Sequence, residues 1–192
     1  MIELLGKSLE ELQSIFKTHN IQKFRAKQLI DYIYHRYIFD FEDMTQFPKD
    51  LRQWLGDNCV ISLPTLITES IAPDGKTRKI LVEMSDQSRV EAVLMEQHYG
   101  YSVCVSSQVG CAMGCVFCAS TQGGLYRDLT VAEIIGQVVI FGALTKEEIH
   151  SVVVMGAGEP LQNYDNVLQA LQLLHDPMIC NISYRKMTIS TC

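Results

Sequence analysis

Three cysteines fall within eight residues, Cys111, Cys115 and Cys118 in the run CAMGCVFC, with an aromatic residue just before the last. Three thiolates at C-x3-C-x2-C spacing suit three corners of a cubane iron–sulfur cluster and leave the fourth iron without a protein ligand. An iron with an open position can coordinate and activate a small molecule, whereas a structural metal site has its positions filled. Two other readings stand beside this one. A zinc site could recruit Cys104, seven residues before Cys111, but zinc favours paired C-x2-C knuckles and only one is present. The cysteines could also be free thiols in a glycine-bearing loop.

The whole chain sets the frame for that chemistry. Its 192 residues suffice for a substantial core, and 47% hydrophobic with 20% charged residues is ordinary globular composition. No apolar run approaches the roughly 20 residues needed to cross a bilayer. The N-terminus MIELLGKSLEEL carries acidic residues and no small-residue cleavage site, so it is not a signal peptide. These features read as a cytoplasmic protein with no membrane partner. Four of the seven cysteines crowd between Cys104 and Cys118, which without an export signal points to metal or redox chemistry more than to a disulfide framework. A net charge of -6 gives no overall attraction for nucleic acid. One local basic stretch, residues 17–36, holds Lys17, Lys23, Arg25, Lys27 and Arg36 with His19 and His35 against a single Asp31. It reads either as a solvated helix face or as an RNA-contacting patch.

The elements that must position the cysteines follow from periodicity. Residues 1–60 read as helical. Ser8 with Glu11 forms a capping box ahead of Leu9, Leu12, Ile15 and Phe16. A second helix is expected over residues 25–38, with Leu29, Ile30, Ile33 and Tyr37 on one face, and Pro48 suits the first turn of a third. Residues 61–100 read as an antiparallel β extension, with Asp74-Gly75 as a hairpin turn between TLITESIA and TRKILVEM. From residue 101 the rhythm becomes strand, loop, helix: YSVCVSS, a long cysteine loop to about Asp128, a helix capped by Thr130 and Glu133, then HSVVVM, GAGEP, a helix over residues 163–175, and RKMTIST. Such alternation predicts a parallel sheet with helices packed on it, and functional groups in loops at the strand C-terminal ends. The cysteine loop, GAGEP and Ser190 all fall at such ends. Two glycines and a carboxylate in GAGEP allow close backbone approach to a ligand, with Glu159 as acceptor for an ammonium or for ribose hydroxyls, although a Gly-rich turn is by itself weak evidence.

CVSSQVGCAMGCVFCAS, the following LTVAEIIGQV helix and MGAGEP together resemble the radical S-adenosylmethionine (SAM) enzymes that methylate C2 of adenine in RNA. The resemblance extends to FRAKQLIDYIY, MTQFPKDLR and DGKTRKILVE, nearly the whole chain. It implies an α/β fold: the first part of a (βα)6 radical SAM barrel over residues 101–192, preceded by a small helical RNA-binding-like domain (residues 1–60) and the β-hairpin extension. It further implies a [4Fe-4S] cluster on Cys111, Cys115 and Cys118, with SAM contacted by Gly158, Glu159 and Ser190. Glu91 matches the proton acceptor at the adenine carbon, and Cys104 the cysteine that resolves a protein–RNA adduct by forming a disulfide. On residues alone, Glu91 is an exposed strand carboxylate and Cys104 a core cysteine. The implied partners are 23S rRNA, tRNA modified just 3′ of the anticodon, and an electron donor such as flavodoxin. C2 of adenine is electrophilic, so ordinary methyl transfer fails there; a radical route then needs a base for the C2 proton and a thiol to release the enzyme. A sister activity of the family methylates C8 of the same ribosomal adenine and shares nearly all these motifs.

The rhythm stops at Cys192, directly after a third strand, and an exposed edge strand is a liability. The expectation is therefore a front part of a longer protein, without the family's late methyl-carrying cysteine and inactive as a methyltransferase by itself.

Overall fold

The structure is a computed structural model that describes residues 1–192. Strand β1 (Ile2–Glu3) opens the chain and helix α1 (Leu9–Thr18) follows, with the Ser8–Glu11 capping box formed in both directions. Helix α2 (Phe24–Ile30) runs into a π-helical turn, Asp31–His35, and the chain leaves the helical path at Tyr37, whose φ is +55°. The helix expected over residues 25–38 is thus shorter, and Tyr37 is not on its face. The wider turn lets three consecutive side chains, Tyr32, Ile33 and Tyr34, all be buried. Helix α3 (Lys49–Asn58) starts directly after Pro48, and strand β2 (Cys59–Val60) pairs in parallel with β1, tying the two ends of the helical unit together.

Six strands form one sheet: β3 (Thr65–Ile71), β4 (Thr77–Glu83), β5 (Arg89–Gln97), β6 (Gly100–Val105), β9 (Ile149–Val154) and β10 (Met187–Ile189), in the order β10-β9-β6-β5-β4-β3. Strands β3 to β6 are antiparallel, and β6, β9 and β10 are parallel. Strand β6 is the hinge between the two patterns, bonded to β5 on one side and β9 on the other. Two short strands outside this sheet, β7 (Gln108–Gly110) and β8 (Leu125–Asp128), pair with each other.

Helix α4 (Val131–Thr145) begins at the Thr130–Glu133 capping box, and α5 (Tyr164–His175) follows β9. Val103 and Val105 of β6, Val152 and Val154 of β9 and the α4 residues Ile134, Ile135 and Val138 share one core with Leu4, Leu5 and Phe16 of the helical unit. Helix α4 is buried from Ile134 to Gly142, hydrophobic nearly all round because it lies between the sheet and the helical unit. Two of its glycines permit that double contact. A Cβ on Gly136 would lie 2.5 Å from Cδ of Pro64, and one on Gly142 would collide with the Tyr37 hydroxyl. No helix is long and apolar enough to cross a membrane.

The packing separates two glycines that look alike in sequence. Gly136→Ala should destabilise the protein by about 1–3 kcal/mol through overpacking. Gly56→Ala on α3, where nothing lies within 4 Å, should stabilise it by about 0.5–1 kcal/mol through helix propensity. Urea unfolding midpoints of the two variants measure both signs.

Candidate functional site: two loops at the ends of β6 and β9

Beyond β6 the chain does not open directly into a loop. Ser106, Ser107 and Gln108 are all buried, and a buried polar group without a partner is costly, so each finds one. The Ser106 hydroxyl donates to the Glu91 carbonyl (2.8 Å) and accepts from the Ala157 N–H (2.9 Å). The Ser106 backbone is held by Gln137 of α4, whose amide accepts from the Ser106 N–H (2.8 Å) and donates to its carbonyl (3.1 Å). The cysteine segment, expected as a long loop, carries two short strands, β7 and β8, that pair and close it at its base. Its ends are pinned further by the Cys111 N–H on the Gly124 carbonyl and by the Thr121 hydroxyl, which accepts from Gly114 N–H and donates to the Cys111 carbonyl.

The GAGEP loop at the end of β9 packs on the same segment. Gly158 has φ +105°, and a Cβ there would lie 2.6 Å from Cβ of Gln108, so only glycine fits. The Gln108 amide accepts from the Glu159 N–H (2.8 Å) and donates to Asp128 at the foot of the cysteine loop (2.8 Å). One buried amide thereby ties the two loops together. Glu159 is itself buried, which pushes its carboxyl up, but three donors outweigh that and hold it below its usual value. They are the Thr191 hydroxyl (2.6 Å) and the N–H groups of Leu161 (3.0 Å) and Cys192 (3.0 Å).

The structure thus brings Gly158 and Glu159 against the cysteine hairpin and against residues 190–192. The Cys115 and Cys192 sulfurs are 3.8 Å apart, and Gln162 reaches the Met113 sulfur at 3.6 Å. Ser190 lies just past β10 and donates its N–H to the Val154 carbonyl. Cys111 is buried, and Cys115 and Cys118 are half-buried free thiols. No three His, Cys, Asp or Glu side chains converge closely enough to hold one metal ion. The donor set nevertheless fits an iron–sulfur cluster in kind: three thiols on one hairpin loop, with an unobstructed glycine (Gly114, φ +69°) between the first two. They are ligands of the right type on one loop, not a preformed cage.

Glu91 and Cys104 lie on one face of the sheet, opposite the helices. Val90, Ala92 and Leu94 of β5 point into the core, so Glu91 and Val93 point away, and Cys104 pairs in register with Val93. Glu91 is more than half exposed and bonds Lys79 (2.8 Å), an exposed ion pair of little energetic weight. Partial burial pushes the Cys104 thiol up, opposed by the Met155 N–H.

Sequence reasoning missed the polar scaffold. Arg127 on β8 bonds both carboxylate oxygens of Asp86 in the β4–β5 turn and both of Glu133 in the α4 cap. Asn163 donates to the Ser107 and Leu129 carbonyls. Gln137 had a visible signal, as the one polar residue between Glu133 and Thr145 of an apolar helix. Arg127 and Asn163 had none, since their partners lie far away in sequence.

Comparison with known proteins agrees with this layout. Residues 2–61 match the family model described as the ribosomal RNA large subunit methyltransferase N-terminal domain, and residues 105–192 that of the radical SAM superfamily. A probable dual-specificity RNA methyltransferase RlmN of Symbiobacterium thermophilum is 48% identical over 190 residues, 98% of this chain and 51% of that protein. One of the same name from Clostridium perfringens is 44% identical over 192 residues, 100% of this chain and 55% of the relative. A crystal structure of a radical SAM methyltransferase from Sphaerobacter thermophilus superposes with a TM-score of 0.93 at 34% identity, covering 100% of this chain and 57% of that one. The chain belongs to the radical SAM superfamily and, within it, to the RlmN family. It spans about half the length of the curated relatives it matches. The partial-barrel fold expected from the resemblance is the fold observed.

The Arg127 guanidinium, with the Ser88 hydroxyl and N–H, holds the Asp86 carboxyl well below the usual carboxylate range. A carboxyl lowered by folding contributes stability above its unfolded pKa of about 3.9, and that contribution is lost as pH falls through the folded value. Melting temperature should therefore drop below about pH 4, and Arg127→Met should flatten the profile across that window.

Proposed function

We propose that this chain is the radical-generating part of an enzyme that methylates C2 of adenine in RNA, with 23S rRNA and tRNA as substrates. The observation that carries the reading is the meeting of the three-thiol hairpin with the hydrogen-bonded Glu159 loop through the Gln108 amide. Cys111, Cys115 and Cys118 would hold a [4Fe-4S] cluster. When bound, the cluster supplies the electron that cleaves the sulfonium of SAM, delivered to it by a donor such as flavodoxin.

The rest falls to the chain's own side chains. Gly158, whose Cβ position is taken up by Gln108, lets the GAGEP loop lie close on β7 and would thereby set its backbone where it can meet the cofactor. Glu159, kept ionised by its three donors, presents a fixed acceptor for an ammonium or for ribose hydroxyls, and Ser190 borders the same space. Glu91 would take the proton from C2, and its open side of the sheet leaves room for a base to enter. Cys104 shares that face, and its thiolate would attack the sulfur of the protein–RNA thioether, forming a disulfide as the S–C bond breaks and its electron pair takes up a proton on the methylene carbon. The cell compartment that suits such a reductive cycle is the cytoplasm.

Anaerobic reconstitution with iron and sulfide tests the reading. A brown protein absorbing near ~410 nm is expected, and Cys115→Ala should lose most of that absorbance. A colourless protein that instead retains zinc after the same treatment would contradict it.

A further inference from the structure

The basic stretch found in the sequence resolves into two kinds of residue. Arg25 and Arg36 are occupied: Arg25 bonds Gln28 and the Gln46 carbonyl, and Arg36 bonds Asp31 (2.6 Å). His35 reaches the Met178 carbonyl across the unit boundary. Lys17, Lys23 and Lys27 are exposed and pair with no acidic side chain. Residues 17–30 contain four basic side chains and no acidic one, in a chain of net charge -6.

His19, Gln22 and Arg25, which interleave with those lysines in sequence, line an open groove of about 580 Å³ between the end of α1 and α3, together with Asp50 and Trp54 among others. The His19 and Trp54 rings stand 4.8 Å apart at 47°. Phe24, the chain neighbour of the groove-lining Arg25, is 50% exposed with the Arg25 guanidinium 4.7 Å from its ring centroid. The Asp50 carboxylate is partly engaged, accepting the Leu51 N–H. Aromatic and guanidinium faces beside unpaired lysines are the chemistry that holds an unstacked nucleobase and its phosphates. A duplex, whose bases are stacked on one another, offers nothing to such faces.

We propose that this groove docks a single-stranded segment of RNA, with bases against the His19/Trp54 and Phe24/Arg25 pairs and phosphates on Lys17, Lys23 and Lys27. The proposal rests on the RNA reading above and says which surface of this chain would hold the substrate away from the radical site.

Trp54 is the chain's single tryptophan, so its fluorescence reports on the groove directly. The test titrates a mixed-sequence single-stranded RNA of about 12 nucleotides into the chain, reading Trp54 emission and the anisotropy of end-labelled RNA in parallel. Saturable quenching that tracks the anisotropy is expected. His19→Ala should weaken binding about 5-fold or more. The triple change of Lys17, Lys23 and Lys27 to Gln, all at exposed positions, should make the negative slope of log K against log salt shallower by about 2. Binding without quenching, an unaltered salt slope in the triple variant, or no binding at about 50 mM salt would overturn the proposal. A duplex of equal length that binds as well as the single strand would overturn it too. RNA binding needs no cluster, so a protein that reconstitutes brown yet fails these titrations defeats this inference alone.

Discussion

Three polar side chains in a row, Ser106, Ser107 and Gln108, are buried at the end of a central strand, and that constraint organises the site. Each buried donor or acceptor left without a partner costs about 1–3 kcal/mol, so the surrounding chain must answer every one. The answers come from β5 through the Glu91 carbonyl, from α4 through Gln137, from α5 through Asn163 and from the GAGEP loop through Ala157 and Glu159. Moving any of these elements alone would strand a buried group. The two loops that carry cysteines and carboxylate are therefore placed by their roots, even though the cysteine loop is largely open to solvent.

Around that centre the packing is ordinary, and it joins the helical unit and the barrel strands in one core. Helix α4 is apolar on both sides, so it cannot stand on the surface; the sheet covers one side and Leu5, Tyr37 and Pro64 cover the other. The capping box at its start also receives Arg127, whose guanidinium reaches on to the β4–β5 turn. The foot of the cysteine hairpin is thereby anchored to a helix start and to the antiparallel part of the sheet at once.

The sequence made the local features legible. Capping boxes, the Asp74-Gly75 hairpin, the strand–helix rhythm and the three cysteines each depend on residues within one turn or one strand. Several things were not legible because they depend on distant partners. The antiparallel strands and the parallel strands form one sheet only because β6 pairs with β5 on one edge and β9 on the other. The helix after Arg25 stops early because burying Tyr32, Ile33 and Tyr34 together needs a wider turn. The cysteine loop closes through strands separated by the whole motif, and Glu159 draws two of its three donors from Thr191 and Cys192, more than thirty residues on. Neither pairing leaves a short-range trace.

The central claim is that three thiols on the hairpin leave one iron open beside the Glu159 loop. Electron paramagnetic resonance of the reduced, reconstituted protein tests it most directly, recorded with and without SAM. The account predicts a spectrum that changes when SAM is added, because under the proposal the cofactor would ligate the open iron. A cluster whose spectrum is indifferent to saturating SAM would mean that its fourth position is closed, and would contradict the account.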